Sequence, residues 1–194
     1  GPTADIAIVN GGSLRTALDP GELTYGVFFE LSPFDNRFAR VRMTAGELAE
    51  AFRANLASSR GILSIAGARV IETCDASATS RVHLETSRGT RIPDSRSLRV
   101  LTSDFVATGG DALLGPAVLR EGAVVLAEGD PIREQLASHL RRRRGVLRPT
   151  DRSTFAPREP RLVRCAPTVE PRGRARGAPR SSEPKRRGYS ARPV

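Results

Sequence analysis

The sequence has few of the side chains that most often carry catalysis. Of its 194 residues two are His, two are Cys and none is Trp, and aromatic residues make up 5%. The single lysine, Lys185, follows no glycine-rich phosphate loop, and the Gly-x-Ser-x-Gly pattern of a serine nucleophile is missing. His83 and His139 belong to no cluster with the spacing of metal ligands. These absences predict a chain that holds no metal or other cofactor and does not catalyse hydrolysis by itself.

Long apolar runs are also missing, so we expect no membrane span, and no signal peptide is recognised. The two cysteines, Cys74 and Cys165, cannot form a metal site alone. A disulfide between them is disfavoured but stays open, because Cys165 lies in a segment that we expect not to be held in place. The cysteines therefore do not indicate a redox compartment.

Positive charge is concentrated near one end of the chain, although the whole chain carries a net charge of +10. Residues Pro149–Val194 contain 12 basic and 4 acidic residues, whereas Gly1–Leu140 contain 14 basic and 17 acidic ones. The segment 149–194 is also rich in proline and poor in large apolar groups. This composition predicts a disordered tail over 149–194 beside a folded domain over 1–148. Binding of nucleic acid or another polyanion is therefore expected only through the tail, together with the Arg141–Arg144 run.

Apolar periodicity and capping residues predict the elements of the domain. The predicted helices are a short one after the N-cap Thr24, one opened by the capping box Thr44–Glu47, and one that begins after Asp130-Pro131 with the apolar stripe Ile132, Leu136 and Leu140. The predicted strands are Ile6–Val9, Phe38–Met43, a bent strand or strand pair over Ile62–Cys74 around Gly67, Arg81–Thr86, Leu98–Thr102 and Val124–Ala127.

Three loops combine glycine or turn residues with groups that recognise ligands. The first, Asn10-Gly-Gly-Ser-Leu-Arg15, ends a strand and offers an amide and a guanidinium fork. The second and third expose an aromatic ring beside turn residues, Phe34 before Asn36 and Phe105 before Gly109-Gly-Asp111. Each loop alone is explained as well by an ordinary turn or a core phenylalanine as by ligand binding.

Together the three loops resemble the C-terminal domain of 5′-nucleotidases, a group that includes UDP-sugar hydrolases and 2′,3′-cyclic-nucleotide phosphodiesterases. The resemblance covers about Asp5 to Leu147 and rests on Asn10-Gly-Gly-x-x-Arg15, on Leu-Thr-Tyr-Gly with Pro33-Phe34-x-Asn36, and on Phe105-x-Ala-x-Gly109-Gly-Asp111. It implies an α+β fold, a mixed sheet packed with helices, in a domain that lacks its first helical segment. It also implies a periplasmic or extracellular location.

The resemblance further implies a function and a role for each loop residue. The domain would bind a nucleotide or nucleoside and present the phosphate to a metallophosphatase domain, normally fused upstream, that holds two divalent metal ions. The implied substrate-binding residues divide into base-stacking rings (Phe34 and Phe105), groups at the base edge (Asn36 and Asn10), a ribose ligand (Asp111), a phosphate ligand (Arg15), and the loop glycines Gly12 and Gly110.

Two departures from the family pattern bear on this hypothesis. The family usually has a glycine after the aspartate of the third loop, where this chain has Ala112, so the backbone shape of that loop is uncertain. The family domain also begins some thirty residues earlier, which leaves Arg15 with fewer basic neighbours. The alternatives left open are polyanion binding through the tail and a truncated product without activity.

Overall fold

The computed structural model describes residues 3–58, 63–75, 77, 79–143, 145–146 and 148. The predicted tail over 149–194 lies outside these residues. Within them the elements follow the order β1 (Ile6–Asn10), α1 (Tyr25–Leu31), β2 (Phe38–Thr44), α2 (Ala45–Leu56), β3 (Leu63–Ala66), β4 (Arg69–Cys74), β5 (Ser80–Glu85), β6 (Ser97–Ser103), α3 (Asp104–Ala107), β7 (Val124–Leu126) and α4 (Ile132–Arg143).

Five strands form one mixed sheet in the order β3-β1-β6-β2-β7. Strands β1 and β6 are parallel, with Ile6 opposite Val100, whereas the other neighbours are antiparallel. The buried side chains of β2 alternate with less buried ones, as the period of two requires. The predicted α+β class with a mixed sheet is confirmed.

Strands β4 and β5 form a separate antiparallel hairpin. The bent segment around Gly67 therefore joins two sheets, since β3 pairs with β1 and β4 pairs with β5. Gly67 adopts φ +90°, and a Cβ there would lie 2.5 Å from the carbonyl oxygen of Asp5. A glycine is required at this position both by the backbone angle and by the close approach of β1.

Helix α2 packs against the hairpin and the main sheet. Its predicted capping box is present, because Thr44 Oγ1 accepts from the Glu47 amide at 3.2 Å and Glu47 Oε2 accepts from the Thr44 amide at 2.7 Å. The apolar core contains Leu48 and Phe52 of this helix with inward side chains of both sheets. Burial of this one face against two sheets is the main contribution that holds the domain together.

Helices α1 and α4 pack against each other at one side of the sheet. Thr24 caps α1 as predicted, accepting from the Val27 amide at 3.3 Å. The predicted apolar stripe of α4 is wrong at Leu136, which is 43% exposed, because the helix turns Arg133 and Ala137 inward instead. The buried face of α4 therefore includes Arg133, whereas the apolar periodicity of the helix predicted Leu136 on that face.

Cys74, at the end of β4, is disulfide-bonded. The sequence disfavoured this state without excluding it, since propensity and spacing do not reveal which thiols come together. Cys165 lies outside the described residues.

Candidate functional site

The three candidate loops meet at one edge of the main sheet. Strands β1 and β6 are parallel and β2 runs against β6, so the ends of β1 and β6 and the start of β2 share this edge. The register of β1 and β6 places Asn10 level with Asp104. We call the segments 10–15, 33–37 and 104–111 the loop edge.

Phe34 lies on the second of these loops with its ring 41% exposed. The loop backbone is bonded to the start of α4. Arg133 Nη1 donates to the Phe34 carbonyl at 3.2 Å, and the Ile132 amide donates to the Asn36 carbonyl at 2.8 Å. The backbone that carries the exposed Phe34 ring is thus held in place by two hydrogen bonds from α4.

Arg133 contacts the Phe34 loop, and sequence analysis did not single it out. Its guanidinium is buried and forms an ion pair with Asp35 Oδ1 at 2.6 Å. Hydrogen bonds to Asp35 and Tyr25 hold the pKa of Arg133 above its ordinary value. Hydrogen bonds from Tyr25 and then Arg133 lower the pKa of Glu134, so this cluster stays charged. Only the position of an arginine inside an amphipathic helix could have indicated it, and that is a weak signal.

Phe105 lies on α3, a one-turn helix where sequence analysis expected only a loop. Ser103 caps the helix by accepting from the Val106 amide at 3.3 Å, and Asp104 Oδ1 accepts from the Phe105 amide at 2.7 Å. The ring is 43% exposed. A Cβ at Gly110 would lie 2.5 Å from the Phe105 carbonyl oxygen and 2.6 Å from its ring. Gly110 therefore supports the ring from one side, where only a glycine fits.

A side-chain hydrogen bond joins the two aromatic loops. Asn36 Nδ2 donates to Asp104 Oδ1 at 2.8 Å, and the Asp104 amide donates to the Arg37 carbonyl at 2.8 Å. Asn36 therefore has a structural partner on the neighbouring loop, besides the base-edge role that the resemblance implies. The rings do not stack on each other, since among the described residues the aromatic pair in contact is Tyr25 and Phe29.

Arg15 extends from the first loop towards the second. Its Cζ lies 6.0 Å from the centroid of the Phe34 ring, within the range of a cation–π contact. Its other contact is weak, a hydrogen bond of 3.4 Å from Nη1 to the Gly12 carbonyl. Within the described part of the chain no carboxylate pairs with this exposed guanidinium. The group is therefore available to an anion.

Asn10 lies at the end of β1 with its side chain buried. Its carbonyl accepts from Ser13 Oγ at 2.7 Å, but among the described residues its amide group has no hydrogen-bond partner. Gly12 leaves room beside that amide, because a Cβ there would meet only Asn10 Nδ2 at 3.7 Å. The amide atoms of Asn10 are not among the fully enclosed polar atoms, so solvent or a ligand can reach them. Such an amide can donate to and accept from a ligand.

The third loop keeps a left-handed backbone despite the alanine in it. Gly109 has φ +95°, followed by Asp111 at +55° and Ala112 at +51°. Aspartate tolerates this region, but alanine adopts it at a cost of about 1–2 kcal/mol. The uncertainty that Ala112 introduced is resolved in favour of the glycine-like shape, and Asp111 lies exposed at its turn.

The loop edge is an open surface, and the more enclosed space lies elsewhere. A cavity of about 930 Å³ is formed by the 18–24 segment, α1 and the end of α4. None of the predicted binding residues lines it. Among the described residues no group of three or more His, Cys, Asp or Glu could hold a metal ion, and none of the described helices is long and apolar enough to cross a membrane.

Comparison with known proteins identifies the domain. Residues 1–117 match the family described as "5′-nucleotidase, C-terminal domain". The curated relatives include the trifunctional nucleotide phosphoesterase YfkN of Bacillus subtilis, 30% identical over 56% of this chain and 8% of that protein. UshA of Yersinia enterocolitica is 29% identical over 56% of this chain and 19% of that protein. The chain thus spans less than a fifth of the length of these relatives.

Solved structures show the same fold. The 5′-nucleotidase precursor of Thermus thermophilus superposes with a TM-score of 0.59 at 27% identity, over 72% of this chain and 29% of that one. The NAD nucleotidase of Haemophilus influenzae gives a TM-score of 0.55 at 24% identity, over 73% of this chain and 27% of that one. The predicted resemblance is confirmed, and the chain belongs to the 5′-nucleotidase C-terminal domain family.

Proposed function

We propose that this chain is the nucleotide-recognition unit of a phosphoester hydrolase of the 5′-nucleotidase type. The observation that carries the proposal is the loop edge, where two half-exposed phenylalanines stand on loops joined by the Asn36–Asp104 hydrogen bond. Exposed rings that do not stack on each other offer free faces to a planar base. Stacking of a base on such a ring contributes about 1–3 kcal/mol.

Charge and hydrogen-bonding groups around the rings fit the rest of a nucleotide. Arg15 carries a guanidinium fork for the phosphate, and its position beside Phe34 supports this role. Asn10 and Asn36 carry amides for the base edge, and Asp111 carries a carboxylate for the ribose hydroxyls. Gly12 and Gly110 let the backbone and the Phe105 ring approach closely.

Cleavage of the phosphoester is assigned to another domain of a longer protein. The described residues do not fit a dimetal centre, so no hydrolytic step is derived from this chain. We propose that the bound nucleotide is presented to a phosphatase domain that holds two divalent metal ions. The relatives with nucleotide phosphoesterase or 5′-nucleotidase in their names are more than twice as long as this chain, which supports this division.

A periplasmic or extracellular location is part of the same proposal. Its support is the disulfide bond of Cys74, because disulfides persist in oxidising compartments. Alkylation of the native protein without reduction, followed by mass spectrometry, should leave Cys74 unmodified. An alkylated Cys74 in freshly isolated native protein would contradict this location.

Calorimetric titration tests the binding proposal. The 194-residue chain, shown by circular dichroism to be folded, is titrated with AMP, adenosine and UDP-glucose. We expect binding of at least one of them and tighter binding of AMP than of adenosine, because Arg15 contacts only the phosphorylated ligand. A folded chain that binds none of the three would overturn the proposal. Removal of residues 149–194 should leave nucleotide binding unchanged.

A further inference from the structure

Arg133 combines deep burial with contacts to helix α1, to the Phe34 loop and to a neighbour in its own helix. Its side chain is only 7% exposed, and its guanidinium lies 4.6 Å from the centroid of the Phe29 ring. Nε donates to the Tyr25 hydroxyl at 3.3 Å and to Glu134 Oε1 at 3.2 Å. A buried charge with this many partners is costly to displace, so its position is fixed.

The two remaining nitrogens of Arg133 are directed at the Phe34 loop. Nη1 donates to the carbonyl of Phe34, and Nη2 donates to the carboxylate of Asp35. The Asp35 side chain is 78% exposed, so the ion pair does not serve to bury an acid. The two contacts together tie Arg133 to the backbone of Phe34 and to the side chain of Asp35.

The start of α4 therefore holds the Phe34 loop in position through hydrogen bonds. Three successive loop residues, 34 to 36, are bonded to Arg133 or to the amide of Ile132. A cation in the first turn of a helix opposes the helix dipole. An arginine at that place, with its planar fork turned towards a loop carbonyl and a loop carboxylate, indicates a role in the loop rather than in the helix.

We propose that Arg133 is the positioning residue for Phe34, setting the orientation of its ring for the base of the ligand. The identity of the ligand, a nucleotide, rests on the proposed function. The contacts of Arg133 with the Phe34 loop do not depend on it. Arg133 contacts the backbone beneath the ring, so it acts through Phe34. Without the Arg133 guanidinium, the Phe34 ring could still stack on a base but would no longer be held in one orientation.

Fluorescence tests the geometry without any ligand. The chain contains no Trp, so Phe34→Trp places a single indole at the loop edge. In that background Arg133→Met and Arg133→Lys should lower the fluorescence anisotropy and speed quenching by acrylamide, the lysine less than the methionine. The matched control is Arg120→Met, because Arg120 also pairs with a carboxylate, Glu47, and donates to a carbonyl far from this loop.

Two fluorescence outcomes would overturn the inference. One is an unchanged indole signal in the folded Arg133 variants, and the other is an equal change in the Arg120→Met control. If Arg133→Met fails to fold, Arg133→Lys carries the test, because it keeps the charge and most of the length while losing the fork.

A double-mutant cycle tests the consequence for binding. Arg133→Met should weaken AMP binding about tenfold, a loss within the range that stacking on the Phe34 ring can contribute. In the Phe34→Ala background the same change should have no effect on AMP binding, because the ring that it orients is gone. Equal losses in both backgrounds would show a merely structural role. If the wild-type chain binds no nucleotide, the proposed function fails, and the fluorescence experiment still decides the role of Arg133.

Discussion

The two aromatic loops of the loop edge are held in opposite ways. Phe105 is fixed by its own neighbourhood, with Ser103 and Asp104 capping its helix turn and Gly110 against its ring. Phe34 is held by residues almost a hundred positions away, chiefly Arg133. Both rings end up nearly equally exposed, at 43% and 41%. Local and long-range contacts thus produce the same kind of surface.

This difference explains how each loop should respond to change. The Phe105 loop is sensitive to substitutions within its own few residues. The Phe34 loop is sensitive to the packing of α4, and the Asn36–Asp104 hydrogen bond connects it to the Phe105 loop through side chains. Substitutions near Phe105 and in α4 should therefore affect the two loops separately.

The largest effect is expected from Gly110→Ala. The added methyl would lie within 2.6 Å of the Phe105 ring, so the ring must move. The free energy of unfolding should fall by about 1–3 kcal/mol, as in other overpacked sites. Nucleotide affinity, followed by calorimetry, should fall with it.

Gly26→Ala is the matched control for Gly110→Ala. A Cβ at Gly26 meets nothing nearer than Thr24 Oγ1 at 3.8 Å, and the residue lies within α1. This variant should gain about 0.5–1 kcal/mol from helix propensity. Wild-type affinity in Gly110→Ala would show that the local support of Phe105 is not needed.

Removal of either ring should weaken nucleotide binding by a similar amount. Phe34→Ala and Phe105→Ala are each expected to cost about 1–3 kcal/mol of binding free energy. Because both rings are exposed, stability should change little. Leu119→Ala, which removes an 81% exposed side chain outside the loop edge, is the control. If only one of the two rings contributes, the base does not contact both loops.

Ala112→Gly should stabilise the third loop. Alanine at φ +51° is strained, and glycine is not. After the larger chain entropy of glycine is deducted, the free energy of unfolding should rise by about 0.5–1 kcal/mol in urea titrations. Ala107→Gly, within α3, should destabilise instead. Destabilisation by both would argue against the left-handed conformation at Ala112.

The smallest effect is expected at the opposite end of the sheet. Hydrogen bonds from Arg99 lower the pKa of Asp5 from 3.8 to about 2. A carboxyl whose pKa is lower in the folded state stabilises above its unfolded pKa and loses that contribution as the pH falls through the folded one. Asp5→Asn should therefore cost about 1 kcal/mol or less at pH 7, allowing for solvent screening. This cost should shrink as the pH falls below the unfolded pKa and should vanish only below the folded pKa of about 2.

Nucleotide affinity at pH 7 should be the same in Asp5→Asn as in the wild type. The Asp5–Arg99 pair lies where β1 begins, whereas the loop edge lies where β1 ends. A loss of affinity in this variant would show that the loop edge depends on the whole sheet rather than on its own contacts.

Sequence analysis predicted best what adjacent residues determine. The caps at Thr24 and Thr44 and the strands of the main sheet follow from patterns that span a few residues. The loop residues of the resemblance also came from the sequence, and the structure places Arg15 beside Phe34. Their roles towards a ligand remain predictions.

What the sequence did not reveal depends on distant contacts. Arg133 occupies an inward position of α4, where periodicity favoured Leu136, because its partners lie on the loop before β2. The left-handed Ala112 is a second case, since alanine does not favour that conformation and its neighbours impose it.

The most direct test is the crystal structure of the 194-residue chain with AMP bound. The account predicts adenine against the Phe34 and Phe105 rings, with the phosphate at Arg15. Adenine in the cavity formed by the 18–24 segment, α1 and α4 would contradict it, as would a phosphate bound away from Arg15.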